Sequence, residues 1–396
     1  MAGDGGMRET GTGGAAPSGA GSSSGGSGAG SSSAGSSSGG GSAGAGTVKP
    51  PPVGKCDGLG AVGTWENVTP PYLVEHPTFT GALVPLVNPV NPAIVYVTSD
   101  GNGIFKSTDC GANWMKVNTG RNAKEIDSGR IWGAVIDPVE PDTLYALTGY
   151  GAGGLWKTTN GGTDWDNMLP EGSEIAKTAG GFVERVVMDP TNRLHLLINF
   201  HLNCAGHTPV CFGESMDGGK SWSILDFPES LSPSWGEGSG LMILKPNVWL
   251  YQQYQLFYTE DSGKNWKAVT PDGGLGSCFP GDSRITQTPD KSYFLGAQAG
   301  VLVSKDEGKS WAVIPNSGRA LCPVIGDGTR LFAASLSNPQ VVYAASYSDT
   351  NTWTKLDSPG LPVDPPQNMY VMAYDTAHHL LFGAAQATGL FRMVTQ

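Results

Sequence analysis

The chain lacks any run of 18 apolar residues, which excludes a membrane-spanning helix of the usual length. It also lacks a sustained helical periodicity, because 59 Gly and 28 Pro among 396 residues interrupt every window long enough to hold one. Basic residues are in deficit: 24 Lys and Arg face 35 Asp and Glu, and the net charge of −11 argues against non-specific binding to nucleic acid or to an anionic membrane. The six cysteines include no C-x2-C pair, so the usual zinc spacing is missing and no metal or other cofactor is expected. No charged segment followed by an apolar one stands near the start, so no signal peptide is expected within this sequence. The G-x-G-x-x-G at Gly149 to Gly154 leads into a strand-like run rather than a helix, and dinucleotide binding loses its structural context.

What is present divides the chain in two. Residues 1 to about 47 are almost wholly Gly, Ser, Ala and Thr, followed by a Pro-rich connector from Lys49 to Lys55. Such a segment cannot bury enough apolar surface to offset the entropy of ordering, so 1–55 is expected to be a disordered linker and 56–396 the globular domain. A linker of this kind commonly joins an exported domain to an anchor or a second module.

Within the domain one stretch recurs. Ser304-Lys305-Asp306-Glu307-Gly308-Lys309-Ser310-Trp311 reads S-x-D-x-G-x-x-W, and Ser107 to Trp114 and Ser215 to Trp222 repeat it. Thr158 to Trp165 carries Asn160 for the Asp, Thr259 to Trp266 carries Thr for the Ser, and Ser346 to Trp353 keeps only the ends. Each copy follows a short apolar run and precedes an alternating one, as in Gly300-Val301-Leu302-Val303 and Trp311-Ala312-Val313-Ile314. That is strand, turn, strand. Ser and Asp can bond backbone amides of the turn, Gly supplies positive φ, and Trp packs over the strand that follows. Five copies in register mark a repeat architecture.

Trp65, Trp114, Trp165, Trp222, Trp266, Trp311 and Trp353 are 49, 51, 57, 44, 45 and 42 residues apart, which predicts seven blades. Trp65 has no blade before it, and the chain stops after Gly389-Leu390-Phe391-Arg392-Met393-Val394, which looks like a third strand. Gly63 to Thr69 is therefore expected to supply the missing fourth strand and close the ring, removing an exposed edge. The serine–aspartate motif is that of the Asp-box, and from Trp65 onward the chain resembles Asp-box β-propellers such as sialidases, family 74 xyloglucanases, sortilin-type receptors and a photosystem II assembly factor. The resemblance implies an all-β, seven-bladed propeller. It says little of function, since these relatives do unrelated things.

On that map the loops between blades and the loops between second and third strands share one face, and the Asp-box turns lie on the other. Cys204 and Cys211 fall in one long loop, Cys278 and Cys322 on the loop face, and Cys56 and Cys110 on the opposite face at the seam. Of 15 connectivities this placement selects Cys56–Cys110, Cys204–Cys211 and Cys278–Cys322. The first would latch the ring, worth about 2–4 kcal/mol. Disulfides imply an oxidising compartment, hence a secreted, cell-surface or periplasmic protein; six buried free thiols are the alternative.

Candidate site residues are those that reach the channel mouth on the loop face. His201, Asn203 and His207 stand in the long stapled loop and could offer a general base. Trp235 beside Glu237 suits a sugar, the ring stacking and the carboxylate bonding hydroxyls. Glu184-Arg185, Arg284 and Arg130 occupy similar levels of three blades, where guanidinium groups could hold a carboxylate. Tyr254 sits in a turn on the same face, with Asp272 and Asp282 in the loop after it. Each also has a plainer reading as a turn residue, a packed loop residue or an inter-blade ion pair. The sialidase Arg-Ile-Pro motif is absent. Two classes of function remain open. One is an exported carbohydrate-active enzyme, hydrolytic through Glu237 and Glu184, or a uronate lyase through His201, Tyr254 and Arg185 or Arg284. The other is a non-catalytic propeller that binds a glycan or a protein. A monomer is expected in either case.

Overall fold

The structure, a computed structural model, describes residues 55–396 apart from 181, 234, 235, 237, 272–274, 276–283, 318–320, 336–340, 362–368 and 386. The described chain is almost all β. Four consecutive four-stranded antiparallel meanders occupy 82–116, 130–167, 183–226 and 240–268. An eight-stranded sheet follows over 286–355, its two halves joined through the single pair Ala297↔Leu321. The last sheet combines Met369–Asp375, Leu380–Ala385 and Gly389–Val394 with Trp65–Asn67 from the other end of the chain. Its register sets Trp65 against Met393, Glu66 against Arg392 and Asn67 against Phe391. This is an arrangement of propeller type.

The repeated turn explains how each meander is held. In its first copy the Ser107 hydroxyl donates to Asp109 Oδ1 at 2.7 Å and accepts from the Gly111 amide at 2.8 Å, while Asp109 Oδ1 accepts from the Asn113 amide at 2.8 Å. Ser304, Asp306, Gly308 and Ser310 repeat the pattern, and Thr259 and Asp261 reproduce it with the threonine hydroxyl. Gly111, Gly162, Gly219, Gly263 and Gly308 all have φ between 79° and 99°, where a Cβ would be strained. The Ser221 hydroxyl and amide hold the Asp217 carboxyl down at about 2, so this staple is ionised at any ordinary pH. In four copies the motif Trp closes the turn by donating Nε1–H to its Gly carbonyl, at 2.8–3.1 Å for Trp114, Trp165, Trp266 and Trp311. The strand begins only after that Trp and is two residues long, as at Met115–Lys116 and Ala312–Val313, shorter than the alternating runs suggest.

Turns between first and second strands repeat as well. Asp137, Asp327 and Asp375 each accept two backbone amides two and three residues on, which caps the hairpin.

The two chain ends are bound at several levels. Trp65 is buried in a cluster with Phe332, Met372, Leu381, Phe391 and Met393. Arg392, also buried, donates Nε and Nη2 to Glu66 Oε2 and Nη1 to the Cys110 carbonyl at 2.7 Å. Cys56 is disulfide-bonded to Cys110. One arginine and one disulfide thus tie the amino-terminal strand, the carboxy-terminal strand and the first serine–aspartate turn.

Candidate functional site

Several side chains gather where first strands begin and second strands end. Glu184, at the start of Val183–Asp189, and His201, just past Asn192–Phe200, are buried, with Glu184 Oε2 2.6 Å from His201 Nδ1. The other carboxylate oxygen accepts the Gly238 amide at 3.1 Å. Arg185 Nη1 donates to the Glu184 carbonyl at 3.0 Å and stands 3.7 Å from Glu184 Oε1. A carboxylate at Nδ1 fixes the imidazole and turns Nε2 away from it, the orientation a general base requires. The loop bearing His201 is pinned at its far side, where Cys204 is bonded to Cys211 and His207 Nδ1 lies 2.9 Å from Asp226 Oδ1.

Aromatic rings surround the His201 imidazole. Phe182 lies 3.9 Å away between centroids, and Trp132 and Tyr150 each lie 5.9 Å away. Tyr150 takes a left-handed backbone conformation, φ 55°, and is 60% exposed. Its ring and that of Phe79, 72% exposed, flank the Arg130 guanidinium at 4.9 and 5.3 Å. Arg130 also donates Nε–H to Asp100 Oδ1 at 3.2 Å, bridging neighbouring sheets. Burial pushes the Tyr251 phenol well above its ordinary range, opposed by the Ser239 hydroxyl and reinforced to a lesser degree by the Glu184 charge. Asn199 Oδ1 and Gln252 Oε1 are buried with no hydrogen-bond partner among the described residues.

The structure therefore brings Glu184, His201 and Arg185 together, with Arg130 one sheet away. Arg284 lines the same central cavity as Arg185 and donates Nη1 to the Met372 carbonyl at 3.1 Å. Tyr254 is 66% exposed and Asn203 is exposed, and neither shows a contact with His201 or Glu184 among the described residues. Trp235, Glu237, Asp272, Asp282 and Cys278 lie outside the described residues. Sequence reading passed over Phe182, Trp132, Tyr150 and Asp100. Tyr150 sits inside the glycine-rich run Gly149 to Gly154, and its isolation between glycines was the available signal.

A second acid–imidazole cluster lies about 20 Å down the same strand, at the opposite end from His201. His195, buried, has Nδ1 2.9 Å from Asp189 Oδ2 and Nε2 3.1 Å from Glu214 Oε1. Burial disfavours its protonated form, but the two carboxylates outweigh that and raise its pKa. At Asp189 burial is likewise outweighed, by hydrogen bonds from His195 and Thr191, and its pKa is lowered. A raised histidine contributes stability that is fully present below its unfolded pKa of about 6.5 and is lost as pH rises through its folded value. The lowered Asp189 contributes above about pH 3.9 and loses that contribution as pH falls. Thermal melts of wild type and His195→Gln between pH 4 and 9 are expected to differ most near pH 5–6, with a shallower alkaline decline in the variant. Parallel alkaline limbs would contradict this.

No family model matches the chain. It is 25% identical over 303 residues to the xyloglucanase Xgh74A of Acetivibrio thermocellus, covering 65% of this chain and 34% of that protein. The chain thus spans about a third of the length of this curated relative. Among solved structures it is similar to the GH74 xyloglucanase of Xanthomonas campestris, with TM-score 0.54 and 15% identity over 84% of this chain and 54% of that one. It is also similar to YCF48 bound to D1 peptide, with TM-score 0.56 and 15% identity over 84% of this chain and 97% of that one. At such identities the structural likeness concerns the fold alone: a propeller of the family 74 type.

Proposed function

We propose that this chain is an exported, carbohydrate-active propeller that cleaves a polysaccharide or oligosaccharide at the loop-face channel mouth. We take its architecture to be seven blades, the eight-stranded sheet counting as two, with the ring closed by Trp65–Asn67 and residues 1–55 serving as a flexible linker. A third bridge, Cys278–Cys322, and a monomeric state belong to the same reading. The observation that carries the function is the Glu184–His201–Arg185 cluster under a shelf of aromatic rings, two of them open to solvent. Exposed rings can stack on the apolar faces of sugars, and the fixed polar groups beneath can act on hydroxyls or on a glycosidic bond.

Hydrolysis is the route favoured by the xyloglucanase relatives. It needs two carboxylates about 5–10 Å apart, which Glu184 and Glu237 would supply, with Asp282 in reserve. Elimination on a uronate is favoured instead by the anchored imidazole, with His201 as base, Tyr254 as donor and Arg185 or Arg284 neutralising the carboxylate. A panel of neutral and uronate-containing polysaccharides, read for new reducing ends and for the ultraviolet absorbance of unsaturated uronates, tests the proposal. Reducing ends alone select hydrolysis, and both signals select elimination.

A non-catalytic binder of glycan or protein is the second reading. It is favoured by the mutual engagement of Glu184 with His201 and of Arg130 with Asp100. Binding to a panel polysaccharide without either product signal would select it.

A further inference from the structure

Four side chains able to ligate a metal meet where the two chain ends join. They are Cys56, Cys110, Asp375 and His378, with one donor atom from each lying within 4.8 Å of the others. Cys110 Sγ stands 3.8 Å from His378 Nδ1 and 4.0 Å from Asp375 Oδ2, and His378 Nδ1 stands 2.6 Å from Asp375 Oδ2. Cys110 and Asp375 are buried, whereas Cys56 and His378 are partly exposed, so the cluster can be reached from solvent. The sheets offer an internal comparison. Asp137, Asp327 and Asp375 cap equivalent turns, and at the first two the second carboxylate oxygen takes an arginine, Arg193 at 2.8 Å and Arg330 at 2.9 Å. At Asp375 a histidine and two sulfurs stand in the arginine's place. Its other oxygen accepts the amides of Ala377 and His378, which orients the carboxylate as supporting hydrogen bonds orient metal ligands. The sequence shows no ligand spacing because the donors come from three separate stretches, and only Asp375 and His378 are neighbours.

We propose that, when the Cys56–Cys110 bridge is reduced, these four side chains hold a zinc ion. A dithiol closing its own disulfide, or a phosphine taking the oxygen of a water, supplies the two electrons and two protons that turn the bridge into two thiols. Zinc then displaces both thiol protons. Thiolate sulfur and imidazole nitrogen suit zinc, whose tetrahedral bonds of about 2.0–2.3 Å set neighbouring donors about 3.3–3.8 Å apart. The Cys110–His378 and Cys110–Asp375 separations lie near that spacing. The His378–Asp375 pair opens toward it as the metal replaces the proton between them. Cys56 belongs to no strand or helix, so its thiolate can move off Cys110 to a vertex of its own. The ion then does more than the bridge it replaces, because it ties the amino-terminal stretch and the first serine–aspartate turn directly to the last sheet. None of the four residues belongs to the mouth cluster, so the site stands apart from the glycan reading.

The test uses the full chain, reduced with a phosphine and freed of metal, titrated with Co²⁺ and then with Zn²⁺. The reduced chain should develop the intense visible bands of tetrahedral cobalt and a thiolate-to-metal charge-transfer band, both bleached by zinc, while the oxidised chain develops neither. Zinc should also raise the thermal midpoint of the reduced chain and leave that of the oxidised chain unchanged. Cys56→Ser and His378→Ala should each weaken zinc binding by the reduced chain about tenfold or more. If the reduced, metal-free chain is unfolded, zinc should restore the circular dichroism of the oxidised chain. Lack of that recovery, or of the cobalt spectrum in reduced wild type, would overturn the proposal. So would the same spectrum in the oxidised chain, or zinc affinity unchanged in either variant.

Discussion

Trp65→Ala is expected to lower the unfolding free energy by about 3–5 kcal/mol, the range for deleting a large buried aromatic ring. The indole lies among Phe332, Met372, Leu381, Phe391 and Met393, side chains that lie more than 260 residues further along the chain. Its Nε1 has no hydrogen-bond partner among the described residues, so the loss is one of packing and cavity formation rather than of a polar contact. Trp65→Phe, which keeps a ring and removes the unpaired N–H, should therefore cost much less than Trp65→Ala. Urea unfolding followed by circular dichroism gives both numbers. An alanine variant within about 0.5 kcal/mol of wild type would mean that the first strand contributes little to the last sheet.

The second large effect concerns chemistry. If the panel reveals cleavage, His201→Ala should reduce kcat by about 10²–10⁴-fold under the elimination route, the usual span for a general base, while Glu237→Gln retains activity. Under the hydrolytic route the order reverses, with Glu237→Gln inactive and His201→Ala impaired mainly through the loosening of Glu184. Glu184 is buried and held by His201 and the Gly238 amide, so Glu184→Gln is to be checked for folding before its kinetics are read. Measuring kcat and KM separately distinguishes a group that acts in the transition state from one that merely shapes the pocket. Full activity in all three variants would remove the mouth cluster from consideration.

Much of the fold was legible because it is local and repeated. The Ser107, Thr158, Ser215, Thr259 and Ser304 copies each specify a turn through bonds made within five residues, and those are the bonds formed. The pairing of Trp65–Asn67 with Gly389–Val394 could also be anticipated, since an unpaired strand at each end of a repeating chain has one economical solution. The single-bridge junction at Ala297↔Leu321, which merges two meanders into one sheet, left no pattern in the sequence. The site was less legible for a physical reason. Glu184 and Arg185 could be placed by strand level, and His201 by its long loop, but the rings around His201 come from two sheets, and no local pattern links Trp132, Tyr150 and Phe182. Arg284 was placed with Arg185 by level, and both line the central cavity, where Arg284 also donates to the Met372 carbonyl. His195 went unremarked because its partners Asp189 and Glu214 are brought to it only by strand register.

Cysteine pairing, channel mouth and candidate residues all depend on the two ends of the chain sharing one sheet. Hydrogen exchange on the native protein, resolved to short peptides, measures this directly. The amides of Gly63, Trp65 and Val68 bond to Val394, Pro359 and Leu390. The expected result is slow exchange for 63–68, with the same opening free energy as 389–394 and loss of protection in both together on addition of denaturant. Exchange within seconds at 63–68 while 389–394 stays protected would contradict the closed ring.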